Sequence, residues 1–174
     1  IKTISAYCKV QNRTEEKVGL EYVGSLTVQN LGVDDRLADA EELILYTPHN
    51  AWCEELHWTR QTLRDAGYNP IRMPYSMKRV SATNTGAWST KEYLPMGALY
   101  NTRRDETLLW QIEHNGSWHW EISSTNYSTF LSLSGPTEAE NGWYKELAPG
   151  ACFQSVPVAL SVAEGDFESA VQEM

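Results

Sequence analysis

The stretch from Leu108 to Ser123, LLWQIE-HNG-SWHWEIS, constrains the fold most. Apolar and polar residues alternate on both sides of His114-Asn115-Gly116. Alternation at period two is the mark of a half-buried strand, and an Asn-Gly pair between two such runs predicts a tight hairpin. Trp118 and Trp120 then share one strand face and Trp110 lies on the paired strand, so one hairpin face is an aromatic slab. The chain holds 7 Trp in 174 residues. Large aromatics either build a core or offer flat faces to a ligand. For Trp110, Trp118 and Trp120 the favoured role is the core of a sandwich; the alternative is a stacking platform for the apolar face of a sugar.

The rest of the chain reads in the same way. Thr3 to Val10 alternates, with Ile4, Ala6, Cys8 and Val10 on one face. Gly24 interrupts a second strand region, Val18 to Val28, and predicts a bulge or bend. Glu42 to Thr47 is a short apolar strand that Pro48-His49-Asn50 stops. Trp52, Glu54, Leu56 and Trp58 alternate, which predicts a strand at about 51–59, with a loop or short helix after it. Leu31 to Ala40 is charged and turn-like, and Pro70 and Pro74 bracket an irregular stretch. Lys78 to Trp88 is polar and loop-like. Further strands are expected at Tyr127 to Leu133, Trp143 to Leu147 and Cys152 to Val162, where Pro157 marks an edge or a bulge. Many short strands divided by turn signals predict an all-β fold, an antiparallel β-sandwich. At the end of the chain Asp166 is a good N-cap, and Phe167, Ala170 and Val171 fall on one face of a short helix.

Charge and motifs exclude several functions. The net charge of −9 argues against nucleic acid and against anionic membrane surfaces. No apolar run is long enough to span a membrane. The 3 cysteines are too few for a disulfide scaffold, and Cys8 and Cys152 are expected on buried strands. His49, Cys53 and His57 are close in sequence, as are His114 and His119, but no pattern of paired metal ligands appears, so no metal is expected. No nucleophile motif or phosphate loop is present, and no cofactor is expected. Glu54, Glu55, Glu113 and Glu121 have the right chemistry for glycoside hydrolysis. Glu113 and Glu121 would face each other across the predicted hairpin, where like charges repel; solvated strand charges are the plainer reading, and no residue is assigned as catalytic. Trp88, in a polar Gly-containing loop, and Trp52, at a strand start, are the candidates for contact with a ligand. Asn12-Arg13-Thr14, Asn115-Gly116-Ser117 and Asn126-Tyr127-Ser128 match the glycosylation pattern, whereas unpaired cysteines lean towards a reducing compartment. A cytoplasmic location is the expectation.

Several of these segments resemble a known family. WQIEHNGSWHWEIS (Trp110 to Ser123) is similar to a hairpin of the N-terminal β-sandwich domain of glycoside hydrolase family 36 α-galactosidases. WYKELAPGACFQSVPVALSVAEGDFESAVQEM (Trp143 to Met174) is similar to the family's last sandwich strand and linker. The opening ISAYCKVQNRTEEKVGLEYVGSLTV, the step from Trp52 to Glu54 or Glu55, and the segment ending GAWSTKEYLPMGAL resemble further parts. Cys152 departs from the acidic residue usual at its position. The resemblance implies a supersandwich-like domain at 1–163, incomplete at its N-terminus. It also implies, at 164–174, the start of a linker helix towards a (β/α)8 barrel that this chain does not contain. The family's two catalytic aspartates lie on that barrel. The expected partners are therefore the downstream barrel, an α-galactoside and further copies of the intact enzyme.

Overall fold

A computed structural model describes residues 3–31, 40–68, 78–125 and 128–174. The expected turn at 31–40 and the irregular stretch at 70–74 lie largely outside them, as do Asn126 and Tyr127. The strands are β1 (Thr3–Ala6), β2 (Lys9–Gln11), β3 (Val18–Leu20), β4 (Gly24–Gln29), β5 (Leu43–Ala51), β6 (Glu54–Thr62) and β7 (Arg79–Asn84). Then come β8 (Met96–Asn101), β9 (Glu106–Ile112), β10 (Trp118–Thr125), β11 (Ser128–Ser134), β12 (Lys145–Leu147), β13 (Cys152–Gln154) and β14 (Val158–Glu164). Two short helices, α1 (Glu138–Asn141) and α2 (Phe167–Glu173), complete the described elements. A six-stranded sheet, β1-β14-β9-β8-β5-β6, faces a four-stranded sheet, β4-β11-β10-β7, and two small ladders, β12-β3 and β13-β2, lie beside them. The fold is thus the expected all-β antiparallel sandwich with a short C-terminal helix. Among the described residues no helix is long and apolar enough to cross a membrane.

The expected hairpin at Asn115-Gly116 does not form. β9 pairs with β8 and β14, whereas β10 pairs with β7 and β11, so residues 113–117 carry the chain from one sheet to the other. A two-residue type I′ turn needs positive φ at both central residues, and neither Asn115 nor Gly116 has it. The reason lies in the side chains. Each run presents a fully apolar face, and two such faces are best buried against each other. Trp110, on one sheet, meets Trp120, on the other, edge to face, with ring centroids 5.3 Å apart at 71°. These two, with Trp118, are the largest side chains of the core, and all three are shut off from solvent. The aromatic slab is therefore an inter-sheet contact rather than one hairpin face. Glu113 and Glu121 consequently do not face each other.

Other boundaries shift for local reasons. The expected strand Thr3–Val10 splits at Tyr7-Cys8, because β1 joins β14 and β2 joins β13. Cys8 is only half-buried there, and Cys152, on the two-stranded ladder β13-β2, is exposed. β5 runs through Pro48 instead of stopping. The Leu63 N–H bonds to the Leu43 carbonyl, so odd positions of β5 carry the bonds to β6 and Pro48 sits at a non-bonded pair opposite Trp58. Its ladder with β8 already ends at Tyr46, so the missing N–H costs no bond. The strand expected at 51–59 is displaced to β6, and Trp52 falls in the turn before it. Lys78 to Trp88 is not all loop, because β7 inserts Ala82 and Asn84 inward as the outer neighbour of β10. Cys152 to Val162 divides at 155–157, around Pro157. The bulge beside Gly24 is present: β4 slips one residue between Leu26 and Gly24. In α2, the Asp166 carboxylate accepts the Ser169 N–H, and Ala170 is buried against the large sheet. Phe167 stacks on Tyr46 at 4.7 Å, while Val171 stays half-exposed.

Candidate functional site

The site begins at the β5–β6 turn. β5 ends at Ala51 opposite Glu54, so Trp52 and Cys53 make the connection. Two residues of β6, Glu55 and Leu56, oppose the single Asn50, which is a bulge. Cys53 (φ 63°) and Leu56 (φ 62°) both take the left-handed conformation. A side chain there costs about 1–2 kcal/mol. Strain of this kind persists only where neighbours hold it, and Asn50 does so. Its Oδ1 accepts the Leu56 N–H at 3.2 Å, its own N–H donates to the Glu92 carbonyl at 2.8 Å, and its side-chain NH2 donates to the Thr90 carbonyl.

Trp88 lies on the loop that receives these bonds. Its indole N–H donates to Thr90 Oγ1 at 3.0 Å. On the other side, the core Trp118 reaches out and donates its indole N–H to the Ser89 carbonyl at 2.7 Å. The Leu94 N–H bonds to the Pro48 carbonyl at 3.1 Å, and His49 bridges to Tyr93. The structure therefore joins the two segments that carry Trp52 and Trp88. Trp52 is 83% and Trp88 54% exposed. Beside the joint is a cleft of about 340 Å³ lined by His49, Asn50, Glu54, His57, Glu92 and Tyr93. The Tyr93 ring packs on His49 at 4.7 Å. Exposed indole faces beside a polar cleft suit a saccharide, which has an apolar C–H face and a rim of hydroxyls. Asn50, Glu92 and Tyr93 had no signal in the sequence beyond a loop-like setting, and Asn50 read as part of a strand stop.

The other candidate residues are dispersed. His49 and His57 are cross-strand partners, but among the described residues no three His, Cys, Asp or Glu side chains are placed to hold a metal ion. His114 sits in the inter-sheet connection, where burial lowers its pKa from 6.5. His119 is on the outer face of β10. There it hydrogen-bonds Glu121, and that bond, with further help from Arg79, holds the Glu121 carboxyl below its ordinary 4.5 against the opposing effect of burial. Asn12 is buried, and its side-chain NH2 donates to the Glu16 carbonyl at 2.7 Å and the Leu147 carbonyl at 3.0 Å. That nitrogen is the one a glycan needs, so the folded chain closes the first glycosylation triplet.

The chain has the fold of the N-terminal β-sandwich domain of glycoside hydrolase family 36 α-galactosidases. It aligns with the α-galactosidase AgaA from Geobacillus stearothermophilus at a TM-score of 0.77 and 16% identity, over 99% of this chain and 21% of that one. With the α-galactosidase from Lactobacillus brevis the TM-score is 0.73 at 16% identity, over 94% and 20%. With the galactosidase domain of the α-galactosidase–sucrose kinase AgaSK it is 0.73 at 14%, over 94% and 20%. The chain thus spans about a fifth of the length of the structures it matches. No protein-family model matches it, and no curated protein does.

Proposed function

We propose that this chain is the non-catalytic β-sandwich domain of an α-galactosidase-like glycoside hydrolase. The parent enzyme cleaves terminal α-galactosides with retention, through a covalent glycosyl-enzyme formed on a separate (β/α)8 barrel. The sandwich supports that barrel, shapes the edge of its pocket and contributes oligomer contacts. Trp52 and Trp88 offer their faces to the sugar units beyond the reacting galactose. The observation that carries this reading is the match of nearly the whole chain to one fifth of several α-galactosidases. A further match is a doubly substituted form of the Geobacillus stearothermophilus enzyme AgaA in complex with raffinose. The three unpaired thiols, Cys8, Cys53 and Cys152, support a reducing, cytoplasmic setting.

The test is kinetic. In the intact parent enzyme, Trp88→Ala raises KM for an α-galactosyl oligosaccharide and leaves hydrolysis of a simple aryl α-galactoside unchanged; equal kinetics on both substrates overturns the role of the rim. A stand-alone carbohydrate-binding module is the second reading, favoured by the exposure of Trp52. It requires that sugar quench the Trp fluorescence of the 174-residue chain by itself; the leading reading requires that it does not.

A further inference from the structure

The outer face of the four-stranded sheet carries a second cleft, of about 330 Å³, that the function above leaves unused. Its floor is the outward row of β10 and its neighbours, with His119 opposite Thr83 and Glu121 between Ser81 and Ser132. Short hydroxyl side chains keep this floor low. From it rises one connected polar chain. Thr83 Oγ1 is 2.7 Å from His119 Nδ1, and His119 Nε2 is 3.4 Å from Glu121 Oε2. Arg79 then spans Glu121 at 3.6 Å and Glu140 at 2.8 Å. His119 is 6% exposed although it sits on the outer face.

The walls are as fixed as the floor. One is α1, tied down where the Glu138 N–H bonds to the Glu21 carbonyl at 2.7 Å and where the Asn141 side chain bonds to the Asn84 carbonyl at 3.0 Å. The other is Tyr22. Its hydroxyl is 3.1 Å from Ser132 Oγ, and its tip lies over Gly24, where an added Cβ would stand 3.1 Å from the phenol oxygen. The ring is thus pinned at its hydroxyl end, and the residue is 52% exposed.

A held aromatic ring beside planar hydrogen-bonding groups on a rigid sheet is the chemistry that recognises a pyranose. The C–H face lies on the ring, and adjacent hydroxyls bridge carboxylate and guanidinium. Charge narrows the ligand further. Glu21, Glu121, Glu138 and Glu140 outnumber Arg79 along the lining, which repels phosphorylated or acidic sugars. A bare cation fits no better, because Arg79 already places its own positive charge between Glu121 and Glu140 and a single ring is not an aromatic cage.

We propose that this cleft is a carbohydrate site distinct from the rim, taking one neutral pyranose ring on Tyr22, with Arg79, Glu121 and Glu140 reading its hydroxyls. It does not rest on the α-galactosidase reading. The test is an amide chemical-shift titration of the 174-residue chain with methyl α-D-galactopyranoside and methyl α-D-glucopyranoside, and with spermidine as the cation control. The expected result is saturable shifts at Tyr22, residues 119–121 and residues 138–140 with at least one glycoside. Tyr22→Ala should weaken binding roughly tenfold, the scale of one aromatic contact, while Tyr22→Phe, which keeps the ring, stays within about threefold of the wild type. The proposal is overturned if shifts are confined to residues 49–57 and 88–93, if Tyr22→Ala binds as the wild type does, or if spermidine alone produces the shifts. The spectra themselves show whether each variant is folded.

Discussion

Trp110 and Trp120 meet at the centre of the sandwich, while Trp52 and Trp88 stand at its rim in contact with turns. The same residue type does opposite things, and the difference teaches what decides it. The central pair occupies period-two positions on two strands whose apolar faces point at each other, so burial is dictated by the sheets. The rim pair falls where the backbone turns, at a strained bulge and in a loop held by hydrogen bonds. Among the described residues no facing layer covers an indole there. Trp118 belongs to both regions, because its ring is in the core and its N–H holds the rim loop at Ser89. Interior and rim are therefore coupled through one side chain.

The comparison can be attacked from the interior outward. Trp110→Ala should cost about 3–5 kcal/mol, as large-to-small changes at buried aromatics do, and chemical denaturation measures it. A cost below about 1 kcal/mol would mean that the two sheets do not rest on this contact. Next comes Gly97, over which the Trp110 indole lies; a Cβ there would stand 2.5 Å from Trp110 Cζ2. Gly97→Ala should destabilise by about 1–3 kcal/mol through overpacking. Much of that should return in Gly97→Ala/Trp110→Phe, a coupling that a double-mutant cycle reads directly. At the boundary, Trp118→Phe keeps a ring in the core but loses the bond to Ser89. About 1 kcal/mol is expected, with faster amide exchange confined to residues 86–92.

Two smaller effects sharpen the contrast. Glu121 has a folded-state pKa below its ordinary value, so its charge stabilises the fold above that ordinary value, and this contribution is lost as pH falls through the folded pKa. The stability gap between wild type and Glu121→Gln should accordingly close below about pH 4, in denaturation curves measured across pH. Trp52→Ala should change stability by no more than about 0.5 kcal/mol. A larger loss would show that the rim Trp is structural after all.

Much of the architecture was legible in the sequence, for reasons that also explain what was not. Alternation is local, so the strands and the burial of Trp110, Trp118 and Trp120 followed from it. Strand partnership is not local. The Asn-Gly pair pointed to a hairpin, but the faces of β9 and β10 had a better solution across the sandwich. β7, polar and rich in Ser and Thr, looked like a loop because its strand identity is conferred by β10. Pro48 looked like a stop because its harmless register is set by β6 and by where β8 ends. At the rim, the loop setting of Trp88 was legible, whereas Trp52 read as the start of a strand and falls instead in the turn before β6. Their joining was not legible, because it depends on Asn50 meeting Thr90 from 40 residues away. The cleft at Tyr22 was invisible for the same reason, since it assembles the β3–β4 connection, β7, β10 and α1.

The place of β14 has a consequence for how the protein is made. It is the last described strand, and it lies between β1, the first described, and β9. Among the described strands, β1 has no neighbour in its sheet until residues 158–164 have left the ribosome, and until then β9, the strand that carries Trp110, lacks β14 along one edge. Contacts between segments far apart in sequence are slow to form and leave apolar edges uncovered longest. Release of a chain truncated before Val158 should therefore yield an aggregating species rather than a smaller sandwich, and chaperone demand should peak just before β14 arrives.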